Sequence, residues 1–177
     1  MSLNIGVVMD PIAQIKPWKD TTLAMLLEAQ RRGWTLHYME PADLYVRDGR
    51  VFAVTSDLTV RDDNQDWFTL GEPAPRDLTG MDMILMRQDP PFDAAYLYAT
   101  YLLEKVEREG VLVANRPASV RDSNEKLFAT DFPQCCVPTL VSGRAALLRE
   151  FVKEQGDTVM KPLDAMGGTN VFRIEPG

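Results

Sequence analysis

Histidine is nearly missing from this 177-residue chain: there is one, His37, inside the β-prone run WTLHYME. Serine or cysteine nucleophiles that need a histidine base therefore have a single candidate, and a histidine-based zinc site has too few ligands, so both classes drop away. A lone histidine in a strand reads as a structural residue. Cysteine is scarce too. The two present, Cys135 and Cys136, are adjacent and lie in no C-x-x-C or Cys/His spacing. Neighbours in sequence make poor disulfides, so reduced thiols are expected. No apolar run approaches the ~20 residues a membrane span needs. The opening MSLNIGVVMD has no basic region and meets Asp10 too early for a signal peptide. A cytoplasmic protein with no membrane partner is expected. Positive charge is also short, with 19 Lys and Arg against 26 Asp and Glu and a net charge of -7. That balance argues against nucleic acid as a partner, favours small molecules, and requires any anion site to be local.

What remains is the composition of a globular chain, 45% hydrophobic and 25% charged, long enough to bury a core. NIGVVM reads as a strand, and DTTLAMLLEAQRRG as a helix with Asp20 as N-cap, helical spacing of apolar residues and Gly33 as the stop. TLHYM is a second strand, completing a β-α-β unit of a parallel sheet. In YVRDGRVFAV, Asp48-Gly49 between β-prone runs signals a hairpin that LTV prolongs. GEPAPRDLTG is expected to be a loop. MDMILM is a buried strand, AAYLYATYLLEKVEREG a helix capped by Asp93 and ended by Gly110, and VLVAN a further strand.

A domain boundary is expected near residue 120. Residues 1–120 read as a three-layer α/β domain of doubly wound type. Residues 121–177 read as a small α+β unit that looks unfinished. In RDSNEKLFAT, Asp122 and Glu125 have the spacing of a capping box, so a helix is expected there. PTLV is then a strand, SGRAALLREFVKEQG a helix closed by Gly156, TVMKPL a strand, and NVFRI its hairpin partner.

The stretch VMKPLDAMGGTNVFRI carries the first chemical signal. It is no Walker loop, because Lys161 precedes Gly167 and Gly168 and the loop joins two strands. A glycine pair between strands can still present backbone N-H groups to an anion, with the lysine adding charge against a phosphate. The plainer reading is a hairpin turn with a snorkelling lysine. Lys126, in the first turn of the expected helix, opposes the helix dipole unless an anion lies nearby or it points to solvent. Two lysines flanking one small unit suggest a nucleotide between them. Asp10 and Arg87 each lie just past a predicted parallel strand, at the edge where open α/β sheets bind ligands. Arg87 could clamp a substrate carboxylate in bidentate fashion, or pair with Asp89 or Asp93 and shape the loop. Asn115, Arg116 and Arg121 cluster at another strand end with lower weight. Tyr96, Tyr98 and Tyr101 read as helix packing.

Taken together and in this order, GVVMDPI, LAMLLEAQRRGW, ILMRQDPPFDAAYLYATYLLE, RDSNEKLF and MKPLDAMGG resemble bacterial-type glutathione synthetases of the ATP-grasp superfamily. The resemblance implies a Rossmann-like pre-ATP-grasp domain over 1–120 and the start of an ATP-grasp domain over 121–177. It implies an ATP-dependent ligase that joins γ-glutamylcysteine to glycine through an acyl phosphate. Lys126, Lys161, Gly167 and Gly168 would contact ATP, and Arg87 and Asp10 the dipeptide. Mg²⁺ would be held by a later segment, with no metal ligand in this chain. A homo-oligomer is also implied. The 177 residues are expected to be the N-terminal part of such an enzyme, inactive alone. Ala165 departs from a frequent family glycine and would stiffen the flap; the adjacent cysteines match no family motif. Another ATP-grasp carboxylate-amine ligase, of D-alanine or peptide-tailoring type, and a non-catalytic α/β binding or oligomerisation module are the alternatives.

Overall fold

The structure is a computed structural model that describes residues 2–165, 168 and 170–175. It divides into two compact units, Met1–Arg121 and Asp122–Gly177.

The first unit is built on a mixed sheet. Strand β1 (Asn4–Val8) is apolar, mostly β-branched and buried, as a strand covered on both faces must be. It is followed by α1 (Thr21–Arg31), whose Asp20 carboxylate accepts from the Leu23 N–H at 2.7 Å, and by β2 (Thr35–Met39), which pairs parallel to β1. A hairpin then joins β3 (Leu44–Arg47) to the 11-residue β4 (Arg50–Val60). Its turn residues, Asp48 at φ 50 and Gly49 at φ 80, take the left-handed conformations of a tight hairpin turn. The first half of β4 pairs with β3 and with β6 (Ala74–Asp77). Its second half crosses to the main sheet, antiparallel to β2 and to β5 (Phe68–Leu70). The sheet continues through β7 (Met83–Met86) and β8 (Leu112–Ala114), linked by α2 (Ala94–Arg108). The main path runs β3-β4-β2-β1-β7-β8.

Side-chain alternation along β1 creates the layers. Ile5 and Val7 pack with Leu23, Leu26 and Ala29 of α1, while Val8 packs with Tyr96, Ala99, Leu103 and Val106 of α2. The two helices therefore cover opposite faces. The parallel strands run β2-β1-β7-β8, so the connections leave β1 and β7 in opposite directions and open a crevice between the strand ends.

One expectation fails here, that of a loop at GEPAPRDLTG. GEPAPRDLTG contains β6, and β5 carried no signal; both exist by pairing along β4, and proline is tolerated in β6 because that strand pairs on one side only. A short helix, α3 (Pro117–Asp122), starts with proline in its first turn.

In the second unit, α4 (Ala145–Gln155) ends at Gly156 with φ 78, and β9 (Thr158–Met160) pairs antiparallel with β10 (Phe172–Ile174). The capping-box helix does not form. Asp122 is the last residue of α3, and the Asn124 side-chain Oδ1 accepts from the Lys126 and Leu127 N–H groups, each at 3.1 Å, making a turn instead. Short 3-10 turns at Phe128–Asp131 and Pro133–Cys135 follow. PTLV forms no strand, since a strand needs a partner and none is present among the described residues; neighbouring Val137 is 79% exposed. None of the described residues of this unit is fully buried. Its turns, helix and hairpin thus present apolar side chains such as Phe132, Leu147 and Phe172 to solvent.

Candidate functional site

The crevice of the first unit gathers two of the predicted residues. The Arg87 N–H donates to the Val8 carbonyl at 2.7 Å, which carries the β1/β7 pairing one step further and places both strand ends side by side. The Arg87 side chain donates from Nε to Thr22 Oγ1 and from Nη2 to Thr21 Oγ1, each at 3.0 Å. Asp89 and Asp93 are not its partners. Asp93 caps α2 by accepting from the Tyr96 N–H at 2.9 Å, and the Asp89 N–H donates to Asp10 Oδ2 at 2.7 Å.

Charge bookkeeping isolates Arg87. The other nine arginines of this unit, Arg31, Arg32, Arg47, Arg50, Arg61, Arg76, Arg108, Arg116 and Arg121, all pair with carboxylates. Among the described residues Arg87 pairs with none, although it is half-buried. The Tyr96 hydroxyl donates to the Gln88 carbonyl at 3.2 Å. Burial pushes the ionisation of that hydroxyl up, the negative Asp10 and Asp89 push it further, and Arg87 opposes them, so one tyrosine feels all three charges. The buried side-chain oxygen of Gln88 has no partner among the described residues.

The two arginines of the lower-weight cluster make contacts within the fold. Arg116 pairs with Glu107, and Arg121 bonds to Glu104 and Thr100 while lying over the Tyr101 ring. Of the three tyrosines only Tyr96 is buried; Tyr98 and Tyr101 face outward. His37 is buried between β2 and β4, with Nδ1 at 2.9 Å from Asp57 Oδ1, and Asp57 in turn accepts from Arg76. Desolvation, followed by the nearby Arg76 charge, holds the imidazole below its ordinary range, which makes it a neutral structural group.

In the second unit the two lysine segments meet. Lys126 Nζ donates to Glu125 Oε1 at 2.8 Å and to the Ala165 carbonyl, and Asn124 Nδ2 donates to the Leu163 carbonyl at 3.1 Å. The segment after β9 is thereby fastened to the SNEK turn. Lys161 lies one residue beyond β9 rather than within it, exposed to solvent. The Glu125 carboxyl is held below its usual range, mainly by the Lys126 bond and to a smaller extent by the Lys161 charge. Gly168 takes φ 79, which a residue with a Cβ rarely adopts, while Gly167 lies outside the described residues. A solvent-facing lysine beside a tethered one suits a polyanion such as a triphosphate. No group of three His, Cys, Asp or Glu is set to hold a metal among the described residues. Nor is any helix among them long and apolar enough to cross a membrane.

Thr21, Thr22 and Asn124 escaped the sequence reading. The threonines follow a recognisable N-cap, but nothing in the chain signals a bond to an arginine 65 residues away.

The fold is that of the ATP-grasp ligases. The ligase PsnB, solved with a minimal precursor, superposes with a TM-score of 0.51 at 16% identity, over 99% of this chain and 58% of that one. Residues 3–121 match the family described as prokaryotic glutathione synthetase, N-terminal domain, and residues 125–177 its ATP-grasp domain. The chain belongs to the prokaryotic glutathione synthetase family. It is 55% identical over 177 residues to the glutathione synthetase of Pseudomonas putida and 53% identical over 173 residues to that of Yersinia pestis. These alignments take in 100% and 98% of this chain, but 56% and 54% of the relatives. The chain thus spans about half the length of the curated relatives it matches.

Proposed function

We propose that these residues belong to an ATP-dependent ligase that joins γ-glutamylcysteine to glycine. The cysteinyl carboxylate attacks the γ-phosphorus of ATP, ADP leaves, and an acyl phosphate forms. The glycine amine then attacks the acyl carbon, and phosphate leaves with the bonding pair, giving glutathione. The unpaired Arg87 cation carries the reading for this chain: a half-buried guanidinium without a carboxylate, at a strand edge suited to ligands, calls for an anionic substrate.

In this scheme residues 1–120 form the substrate domain, with Arg87 and Asp10 on the dipeptide. Residues 121–177 begin the ATP-grasp domain, with Lys126, Lys161, Gly167 and Gly168 on the ATP phosphates. The lysine charges offset the negative charge of the phosphates and of the transferring phosphoryl group. Mg²⁺, which when bound neutralises the nucleotide phosphates, would take its ligands from outside these 177 residues. The protein acts as a cytoplasmic homo-oligomer, and the 177-residue chain by itself does not turn over.

The test is product formation by the protein at its natural length, supplied with γ-glutamylcysteine, glycine and Mg-ATP. One phosphate per glutathione, strictly dependent on glycine, is the expected result. A better rate with a different carboxylate and amine pair would overturn the assignment, and so would turnover by the 177-residue chain alone for the statement that it is inactive.

A further inference from the structure

We propose that Glu125 is a positioning residue that competes with the phosphates of ATP for the Lys126 ammonium, so that nucleotide enters by displacing a carboxylate and leaves as that carboxylate returns. The inference rests on the ligase reading, which puts Lys126 on ATP, and adds what regulates that contact.

An ammonium has three N–H donors and no acceptor. Lys126 spends one donor on Glu125 Oε1 at 2.8 Å and one on the Ala165 carbonyl. The two partners differ in kind. The carbonyl is neutral and lies on the same segment whose Leu163 carbonyl accepts from Asn124, so it orients the ammonium and leaves its charge intact. Glu125 cancels that charge. The Lys126 side chain is 21% exposed and that of Glu125 72%. The ammonium is thus fixed within the fold, while the carboxylate sits at the surface and makes no other hydrogen bond among the described residues. Exposed pairs of this kind are weak and readily exchanged.

Lys161 sharpens the competition. Its charge acts on the same carboxylate, though less than that of Lys126. One carboxylate therefore stands beside both lysines that the ligase reading assigns to phosphates. A phosphate arriving there meets a like charge until Glu125 moves aside, and then offers the lysines more negative charge than the single carboxylate it replaces. Moving aside takes only side-chain rotation at an exposed residue. The Asn124 turn and the bond from Lys126 to Ala165 are untouched by it, so the ammonium keeps its direction through the exchange.

The experiment measures equilibrium binding of Mg-ATP, and of adenosine, which has no phosphate, by titration calorimetry on the protein at its natural length. Wild type, Glu125→Gln and Glu125→Ala are compared. Both variants are expected to bind Mg-ATP about three- to fivefold more tightly and adenosine as the wild type does. The gain should shrink at about 1 M KCl, where the Debye length is about 3 Å. On a Lys126→Met background Glu125→Gln should bring no further gain, because the carboxylate then has nothing to compete for. Mg-ATP affinity equal to or weaker than wild type in both Glu125 variants overturns the proposal, whatever happens to adenosine. An equal gain with and without Lys126 also overturns it, since the carboxylate would then act by repulsion alone. Unchanged Mg-ATP affinity in Lys126→Met overturns the ATP role of Lys126 and this inference with it.

Discussion

Arg87 donates from Nε to Thr22 Oγ1 at 3.0 Å, tying the end of β7 to the first turn of α1 across 65 residues of sequence. Neither partner carries a negative charge, so the bond orders the arginine without neutralising it. Replacing Arg87 by leucine removes a cation that no carboxylate of the described chain compensates. Folding stability should fall by no more than about 1 kcal/mol, while KM for the dipeptide rises at least about tenfold. Urea unfolding and steady-state kinetics on the same variant separate the two; a loss of stability larger than the loss of binding would make Arg87 a structural residue.

The buried His37 predicts a pH dependence of stability. Its imidazole is held below 6.5 by desolvation and by Arg76, against the opposing pull of Asp57. The unfolded chain therefore takes up this proton at a higher pH than the folded one. The histidine's contribution is fully present above about 6.5 and is lost as pH falls from there through the lowered folded value. His37→Gln should flatten the decline in stability between pH 7 and pH 5, measured by urea unfolding at each pH. Parallel curves for wild type and variant would show that other groups set the decline.

Gly6 fills a place where a side chain has no room. A Cβ there would stand 3.0 Å from Met39 Cε and 3.3 Å from Ile84 Cγ1, on the face of β1 that α2 covers. The methionine tip can move, so alanine should be tolerated with a small loss. Gly6→Val, despite the better strand propensity of valine, should cost about 1–3 kcal/mol in urea unfolding.

Lys126 is fastened at both ends of its environment, to Glu125 and to the Ala165 carbonyl. If its charge serves ATP, Lys126→Met should raise KM for ATP by about tenfold or more and leave KM for the dipeptide within about twofold. An equal rise for both substrates would mean that the bond to Ala165 matters only for shaping the loop.

Much of this protein is written in local signals. Asp20 and Asp93 announce α1 and α2 because a carboxylate one residue before a helix answers an orphan N–H wherever the chain goes next. Asp48-Gly49 announces its hairpin because few other pairs accept positive φ in succession. Asp10 and Arg87 could be picked out because strand ends can be read from apolar runs. The failures have two causes, strand partners distant in the chain and, at Asp122, a local turn made by the Asn124 side chain. β5 and β6 exist through β4, PTLV stays irregular for want of a partner, and Asp122 ends a helix where its spacing to Glu125 suggested a beginning.

The amino-acid sequence by itself determined α1, α2 and α4, the parallel strands, the family and the chemical types at the strand ends, since each depends on residues near one another in the chain. Only the tertiary structure decided that Arg87 is held by two hydroxyls and left without a carboxylate. That outcome depends on which of the chain's many acidic and polar groups reach the end of β7, and reach is a property of the folded sheet, settled by packing between segments that share no local signal.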